Sequence, residues 1–166
     1  MADIDLDSYI GKPTAASTIT VERGPVSAFA TSVLDSNPVF HDAEAAREAG
    51  FDGVAVPPTW CFSAAEAFGR FRELQPPDPS DGQSPTNVVM GTLMSEGGLI
   101  LHGEQAFEYE RPVVVGETLH HKGIVKDIYQ KPTGDRTMTF MVIENTFTDD
   151  AGDLVLTHTT NLLHRS

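Results

Sequence analysis

The sequence predicts an α+β domain in which helices come first and an antiparallel sheet follows. Apolar residues at helical spacing are confined to the first half of the chain, whereas residues from 104 onward alternate between apolar and polar. The two turns between the last three predicted strands, 131–135 and 149–153, combine the Gly, Asp and Pro residues typical of hairpins. With 166 residues the chain can bury one hydrophobic core, so we expect a single domain over 1–166.

The first half of the chain begins with a predicted strand and helix. The β-branched run over 17–22 is typical of a strand. Gly24-Pro25 then opens a helix, because proline suits the first helical position. This helix ends before Pro38, since a residue that precedes proline is disfavoured in the α region. Its buried face is predicted to carry Val26, Phe29, Ala30, Val33 and Leu34.

Two more helices are predicted after this one. The first is short, spans 42–49 and is stopped by Gly50. The second spans 58–72, which corresponds to a length of about 22 Å at the standard helical rise. Its apolar stripe consists of Trp60, Ala64, Ala67, Phe68 and Phe71. We expect this slim helix to be enclosed by the sheet, with Phe68 in the core.

Four strands are predicted in the second half, over 104–111, 118–129, 137–148 and 154–164. Their side chains alternate between apolar and polar, which is typical of strands with one buried face. The simplest packing of these elements is an antiparallel sheet wrapped around one central helix.

Composition narrows the class of protein. The charged fraction is 21% and no apolar run approaches the length of a membrane helix, so we expect a globular protein. The acidic first residues have no apolar signal core, and we therefore expect a cytoplasmic protein. The net charge of −13 argues against a nucleic acid or an anionic membrane as partner, because both would be repelled.

Positive charge is concentrated in one part of this acidic chain. Five of the 11 lysines and arginines fall between 111 and 136. Arg111, Lys122 and Lys126 are therefore candidate phosphate-binding residues. The alternative is that these cations are solvated residues at strand edges.

An acid, an amide and an imidazole lie within seven residues, as Asp35, Asn37 and His41, with Pro38 fixing the turn between them. A carboxylate and a histidine held close together can position a water molecule and move protons. These three are the candidate catalytic residues, and the alternative is that they only make turns and a helix cap.

The start of the helix predicted over 58–72 is a candidate oxyanion site. Pro57 and Pro58 have no N–H group, so the first free backbone donors belong to Thr59 and Trp60. Such donors can stabilise a developing negative charge on a carbonyl oxygen. An ordinary helix start is the alternative.

Three segments together resemble the MaoC-like dehydratases. The hydratase signature D-x-N-P-x-H appears as Asp35-Ser-Asn37-Pro38-Val-Phe40-His41. The segments V-A-V-P-P-T-W at 54–60 and H-G-E-Q-A-F-E-Y-E-R-P-V-V-V-G-E-T-L at 102–119 resemble the fatty-acid-synthase-type branch of that family. The resemblance covers essentially one whole domain and implies the hot-dog fold.

The resemblance implies a hydro-lyase: (R)-specific hydration of trans-2-enoyl thioesters, or the reverse dehydration of 3-hydroxyacyl thioesters. It assigns the water-holding pair to Asp35 and His41. Phe40 occupies the usual place of the histidine and is a candidate substrate-binding residue. Some members with such a departure are the non-catalytic half of a pair, and that role is the alternative. A hot-dog thioesterase is a third hypothesis, with Glu66 as the acid on the central helix.

The resemblance also implies the partners. Its acyl groove lies between two hot-dog domains, so we expect a homodimer or a heterodimer with a second hot-dog subunit, which would also cover a sheet edge. The acyl thioester of CoA or an acyl-carrier protein is substrate, and we expect neither a resident cofactor nor a metal.

The remaining histidines and the cysteine give no metal signature. The sequence lacks zinc-ligand spacing, and adjacent His120 and His121 would point to opposite faces of a strand. The single cysteine, Cys61, is interpreted as a small core residue.

Overall fold

The computed structural model describes residues 4–63, 65–134 and 136–166, with the side chain of Glu66 left out. The described residues form an antiparallel sheet with strand order β1-β3-β4-β5-β2. Its strands are β1 (Pro13–Thr20), β2 (Leu99–Tyr109), β3 (Thr118–Thr133), β4 (Arg136–Thr148) and β5 (Leu154–Arg165). The α+β class is confirmed, and all four strands predicted in the second half are present.

Short helices pack against the sheet or beside it. They are α1 (Arg23–Ser32), α2 (Ala43–Glu48), α3 (Trp60–Ser63), α4 (Ala65–Phe68) and α5 (Pro85–Ser95). The start of α2 is fixed by Asp42, whose carboxylate accepts hydrogen bonds from the N–H groups of Glu44 and Ala45, both at 2.8 Å. The sequence does not predict α5, which buries Val89 and Leu93 one turn apart.

The prediction of one enclosed helix over 58–72 is only partly confirmed. Trp60, Cys61 and Ala65 are buried in the main core, as an enclosed helix requires. Phe68, however, is 59% exposed and the α-helical part of the segment ends there, so the prediction that Phe68 is core is wrong. Phe71 also lies at the surface, and Ala64 lies outside the described residues.

A close contact at Gly69 explains where this helix ends. The N–H of Thr20 in β1 donates to the carbonyl of Gly69 at 2.8 Å. A Cβ atom at Gly69 would lie 2.5 Å from the Cγ2 of Ile19, so only glycine fits without a shift. The backbone at Gly69 therefore packs directly against β1, and the side chain of the preceding Phe68 faces solvent.

The buried face predicted for α1 extends too far. Val26 and Ala30 are fully buried, but Val33 is 52% and Leu34 90% exposed. The helix ends at Ser32, and Leu34 has a φ of 60°, in the left-handed region. Because the backbone reverses here, the apolar spacing that continues in the sequence no longer continues on one face.

Two main clusters of buried residues lie between the sheet and the helices. The larger cluster surrounds Trp60 and includes residues of β1, β3, β4 and β5; its strand members are Ile19, Leu119, Phe147, Val155 and Leu156. The second cluster packs α5 against β3 and β4 through Val89, Val125 and Met141. No helix in the described ranges is both long and apolar enough to cross a membrane.

Candidate functional site

The segment from Asp35 to His41 follows α1 and is held by side-chain bonds to its own backbone. The Oδ1 of Asp35 accepts a hydrogen bond from the N–H of Asn37 at 3.0 Å. The Oδ1 of Asn37 in turn accepts from the N–H of Val39 at 3.2 Å and caps the 3₁₀ turn Pro38–Phe40. Both side chains therefore shape the turn, which is the structural alternative that the sequence left open.

His41 uses both of its ring nitrogens within this segment. Its Nε2 lies 3.0 Å from the backbone carbonyl oxygen of Asp35, and its Nδ1 lies 3.1 Å from the Oγ of Ser27 in α1. A carbonyl oxygen only accepts, so Nε2 donates to it, and Nδ1 forms the second hydrogen bond, with the Ser27 hydroxyl. The imidazole of His41 is therefore bonded to the backbone of Asp35, whereas a catalytic acid–base pair would be linked through the Asp35 carboxylate.

An apolar groove of about 530 Å³ lies beside this motif. We call it the motif groove; its apolar walls include Val39, Phe40, Phe51, Ala55 and Val56. Phe40 packs against Ala30 and Ala55 in a small buried cluster. Asn37 also lines the groove, but neither Asp35 nor His41 does. The groove can hold a hydrocarbon chain, and the candidate acid–base pair does not face into it.

The two candidate oxyanion residues differ in their backbone donors. The N–H of Trp60 donates to the carbonyl of Pro57 at 2.9 Å, so it is not free for a substrate. The N–H of Thr59 has no acceptor among the described residues. Trp60 is fully buried and its side chain belongs to the core.

The three candidate phosphate-binding residues do not form one free positive patch. Arg111 lies between Glu117 at 2.7 Å and Asp149 at 3.1 Å. Burial lowers the pKa of Arg111, but these carboxylates outweigh it and raise the pKa overall. Lys126 pairs with Glu144, whose carboxylate raises the pKa of Lys126. Of these three candidates, Lys122 on the solvent face of β3 is the one without an ion pair to another described residue.

A polar network that the sequence did not predict crosses the inner face of the sheet. The Nδ1 of His121 on β3 lies 3.0 Å from the Oγ of Ser17 on β1, and its Nε2 donates to the Oδ1 of Asn145 on β4 at 2.8 Å. The Nε2 of His158 on β5 lies 3.0 Å from the Nε2 of Gln105 on β2. Polar residues at the inward positions of alternating strands are the signal that would have found this network.

This network lines a cavity of about 420 Å³ between the sheet, α3 and the start of α5. We call it the central cavity. His158 is 3% exposed; burial, then the charges of His121 and His102, lower its pKa from 6.5 to about 4. Cys61 also lines the cavity, and burial raises the pKa of its thiol to about 12. The cysteine is therefore an unreactive core thiol, consistent with its interpretation from the sequence.

The described residues contain no group of three or more His, Cys, Asp or Glu side chains that could hold a metal ion. His120 and His121 point to opposite faces, as the sequence predicts. His120 contacts Asp150 at 2.9 Å on the outer face, whereas His121 is buried on the inner face. The side chain of Glu66, the candidate thioesterase acid, lies outside what the structure describes.

Comparisons with known proteins agree on one family. Residues 8–158 match the family model described as FAS1-like, dehydratase domain region. A UPF0336 protein of Streptomyces coelicolor is 33% identical over 163 residues, which cover 96% of this chain and 94% of that protein.

Two solved structures show the same fold. A MaoC-like dehydratase is 28% identical with a TM-score of 0.69; the match covers 96% of this chain and 43% of that chain. A chain of the HadBC (3R-hydroxyacyl-ACP dehydratase) complex from Mycobacterium tuberculosis is 21% identical with a TM-score of 0.67, covering 93% and 96% respectively. These likenesses and the observed sheet confirm the predicted hot-dog fold.

Proposed function

Because the chain belongs to the FAS1-like dehydratase family, we propose that it serves the reversible hydration of acyl thioesters. In this proposal trans-2-enoyl and (R)-3-hydroxyacyl thioesters, carried by CoA or an acyl-carrier protein, are the reactants. The chain holds the acyl group, and a second hot-dog domain supplies the acid and base. No resident cofactor or metal takes part.

One observation carries the choice of a holding role. The motif groove is mostly apolar and large enough for an acyl chain, but the ring nitrogens of His41 are bonded to Ser27 and to the Asp35 backbone. A general base needs a nitrogen within reach of the proton that it removes. Here that nitrogen would first have to break an existing hydrogen bond.

The second candidate function is catalysis by this chain itself. Asp35 and His41 are direct neighbours in space, and only one carboxylate oxygen of Asp35 is used in the turn. Rotation of the imidazole away from the Asp35 carbonyl would bring the carboxylate and Nε2 to a shared water. The signature residues then act as the family resemblance implies.

A partner domain fits the exposed edge of the sheet. Strand β2 forms one end of the strand order, and its first residues Leu99, Ile100 and Leu101 are 59%, 39% and 44% exposed. Exposed apolar edge strands favour pairing with another chain. The MaoC-like dehydratase that this chain matches over 43% of its length has room for two such domains in one polypeptide, and HadBC is named as a complex.

The test uses the purified chain alone, with crotonyl-CoA and a longer trans-2-enoyl-CoA as substrates. We expect acyl-CoA binding without turnover, and turnover after a catalytic MaoC-like hot-dog subunit is added. In that assembly Asp35→Asn should leave the rate within about twofold of wild type. The exposed Asp52, which lies outside the motif, provides the matched control Asp52→Asn.

Two outcomes would contradict the holding role. Turnover by the chain alone that Asp35→Asn and His41→Ala each lower by about 10²–10⁴ would establish the second candidate. If the chain shows neither acyl-CoA binding nor turnover, alone or with the partner, both candidate functions are contradicted. Release of free CoA from a saturated acyl-CoA would instead identify a thioesterase.

A further inference from the structure

The inner face of the sheet carries several buried polar side chains, among them His121, His158 and Thr160. His121, Asn145 and His158 form a polar row across β3, β4 and β5: the Nε2 of His121 donates to the Oδ1 of Asn145 at 2.8 Å, and the Nδ2 of Asn145 donates to the backbone carbonyl of His158 at 3.4 Å. The Oγ1 of Thr160 lies 2.9 Å from the Nε2 of His158. Apolar residues at the same places would give a core without any requirement for satisfied hydrogen bonds. The row therefore calls for a reason other than packing.

The central cavity gives this row access to a ligand. Its walls are mostly apolar and include Ile143, Phe147 and Leu162, while His121, Asn145 and His158 contribute its polar part. Phe62, Asn87 and His102, all exposed, also line it and form its mouth. A volume of about 420 Å³ lies within the range of small-molecule sites.

The lining indicates an uncharged ligand. None of the lining side chains that the structure describes belongs to Asp, Glu, Lys or Arg, although the chain has a net charge of −13. The amide nitrogen of Gln105 can only donate, so the Nε2 of His158 accepts and this ring is neutral. The lowered pKa of His158 agrees with that assignment. A carboxylate or ammonium group would lose its hydration here without finding an opposite charge.

From these observations we infer that the central cavity binds a mainly hydrocarbon, uncharged group that carries a hydroxyl or carbonyl oxygen. Its oxygen bonds to the polar row at Asn145 and His158, and its carbon skeleton packs on Phe62, Ile143 and Leu162. Resting on the proposed function, this inference makes the favoured substrates thioesters whose acyl part bears such an oxygen away from the reacting carbons.

The binding test needs neither a partner nor turnover. Cyclohexylmethanol, methylcyclohexane and cyclohexanecarboxylate share one carbon ring and differ in their polar group, and each is titrated into the full chain at pH 7.5. We expect the alcohol to bind at least tenfold more tightly than the other two and to shift the NMR signals of the His102 and His158 rings. Asn87→Trp, a change at an exposed residue, should close the mouth and weaken alcohol binding at least tenfold.

Two further variants separate the cavity from the motif groove. Asn145→Leu should remove the preference for the alcohol over the hydrocarbon, and circular dichroism checks that this variant is folded. If it is not, the smaller change Asn145→Ala replaces it and should reduce the same preference. Val39→Trp narrows the motif groove and should leave alcohol binding unchanged.

Equal affinity for the three probes, tighter binding of the carboxylate, or alcohol binding unaffected by Asn87→Trp would each overturn the inference. The proposed function is tested separately by turnover in the assembled enzyme. Turnover without alcohol binding would refute only the inference about the central cavity. Alcohol binding without turnover would refute the proposed hydration function and leave the central cavity as a binding site.

Discussion

The buried imidazole of His158 makes the stability of this domain depend on pH in a defined direction. Burial, with His121 and His102 nearby, holds the pKa of His158 at about 4, against an ordinary value of 6.5. Between these values the unfolded chain binds the proton and the folded chain does not. The contribution of His158 to stability is therefore complete above pH 6.5 and is lost as the pH falls toward 4.

The size of the effect follows from the two pKa values. A difference from 6.5 to about 4 corresponds to about 3 kcal/mol of unfolding free energy. This is an upper value, because water that enters the central cavity would solvate the charged ring. It remains a large fraction of the stability of an ordinary domain.

The assay compares urea unfolding of the wild-type chain with that of His158→Gln at several pH values between 7.5 and 4.5, at one protein concentration. Glutamine keeps a polar side chain and cannot titrate, so the variant should lose less stability on acidification. His164→Gln is the matched control, because His164 is also 3% exposed and bonds to the Gly97 carbonyl at 2.7 Å. Parallel loss of stability in wild type and His158→Gln would refute this reasoning, whatever their absolute stabilities.

Two further predictions concern the segment that follows Pro58. Trp60→Ala should lower the unfolding free energy by about 3–5 kcal/mol and Phe68→Ala by less than about 1 kcal/mol, because only Trp60 is buried; equal losses in denaturant melts would contradict the described burial. Gly69→Ala should cost about 1–3 kcal/mol because its Cβ would press on Ile19. Gly24→Ala, with nothing within 4 Å of the added Cβ, should be neutral or stabilising, and a larger loss there than at Gly69 would argue against the close contact.

Local signals in the sequence were sufficient for most of the sheet. The strands β3, β4 and β5 begin within one residue of their predicted starts, because alternation and hairpin turns depend only on neighbouring residues. The end of α4 cannot be predicted from local spacing, because it depends on the contact of Gly69 with Ile19 of β1, which lies far away in the sequence. Helical spacing alone carries no information about that contact.

The site shows the same division between local and distant information. The motif residues Asp35 and His41 were found from their spacing, but the partner that fixes the imidazole is Ser27 on α1. The sequence does not predict the polar network that also includes Ser17 and Gln105, because this network joins β1 to β3 and β2 to β5, pairings that alternation within one strand does not reveal. The sequence predicts which residues of each strand face inward, but only the strand order shows that these polar residues meet in one network.

The position of β2 in the sheet also has a consequence for synthesis on the ribosome. Strand β2 pairs with β5, so Leu99 faces Arg165 and Leu101 faces Leu163. Both hydrogen-bonding edges of β2 therefore stay unpaired in the nascent chain until residues 154–165 have left the exit tunnel. During that interval β2 is open to wrong pairing with other nascent chains. Slowing translation between 110 and 154 should increase aggregation, and early contact with a chaperone or with the partner domain should reduce it.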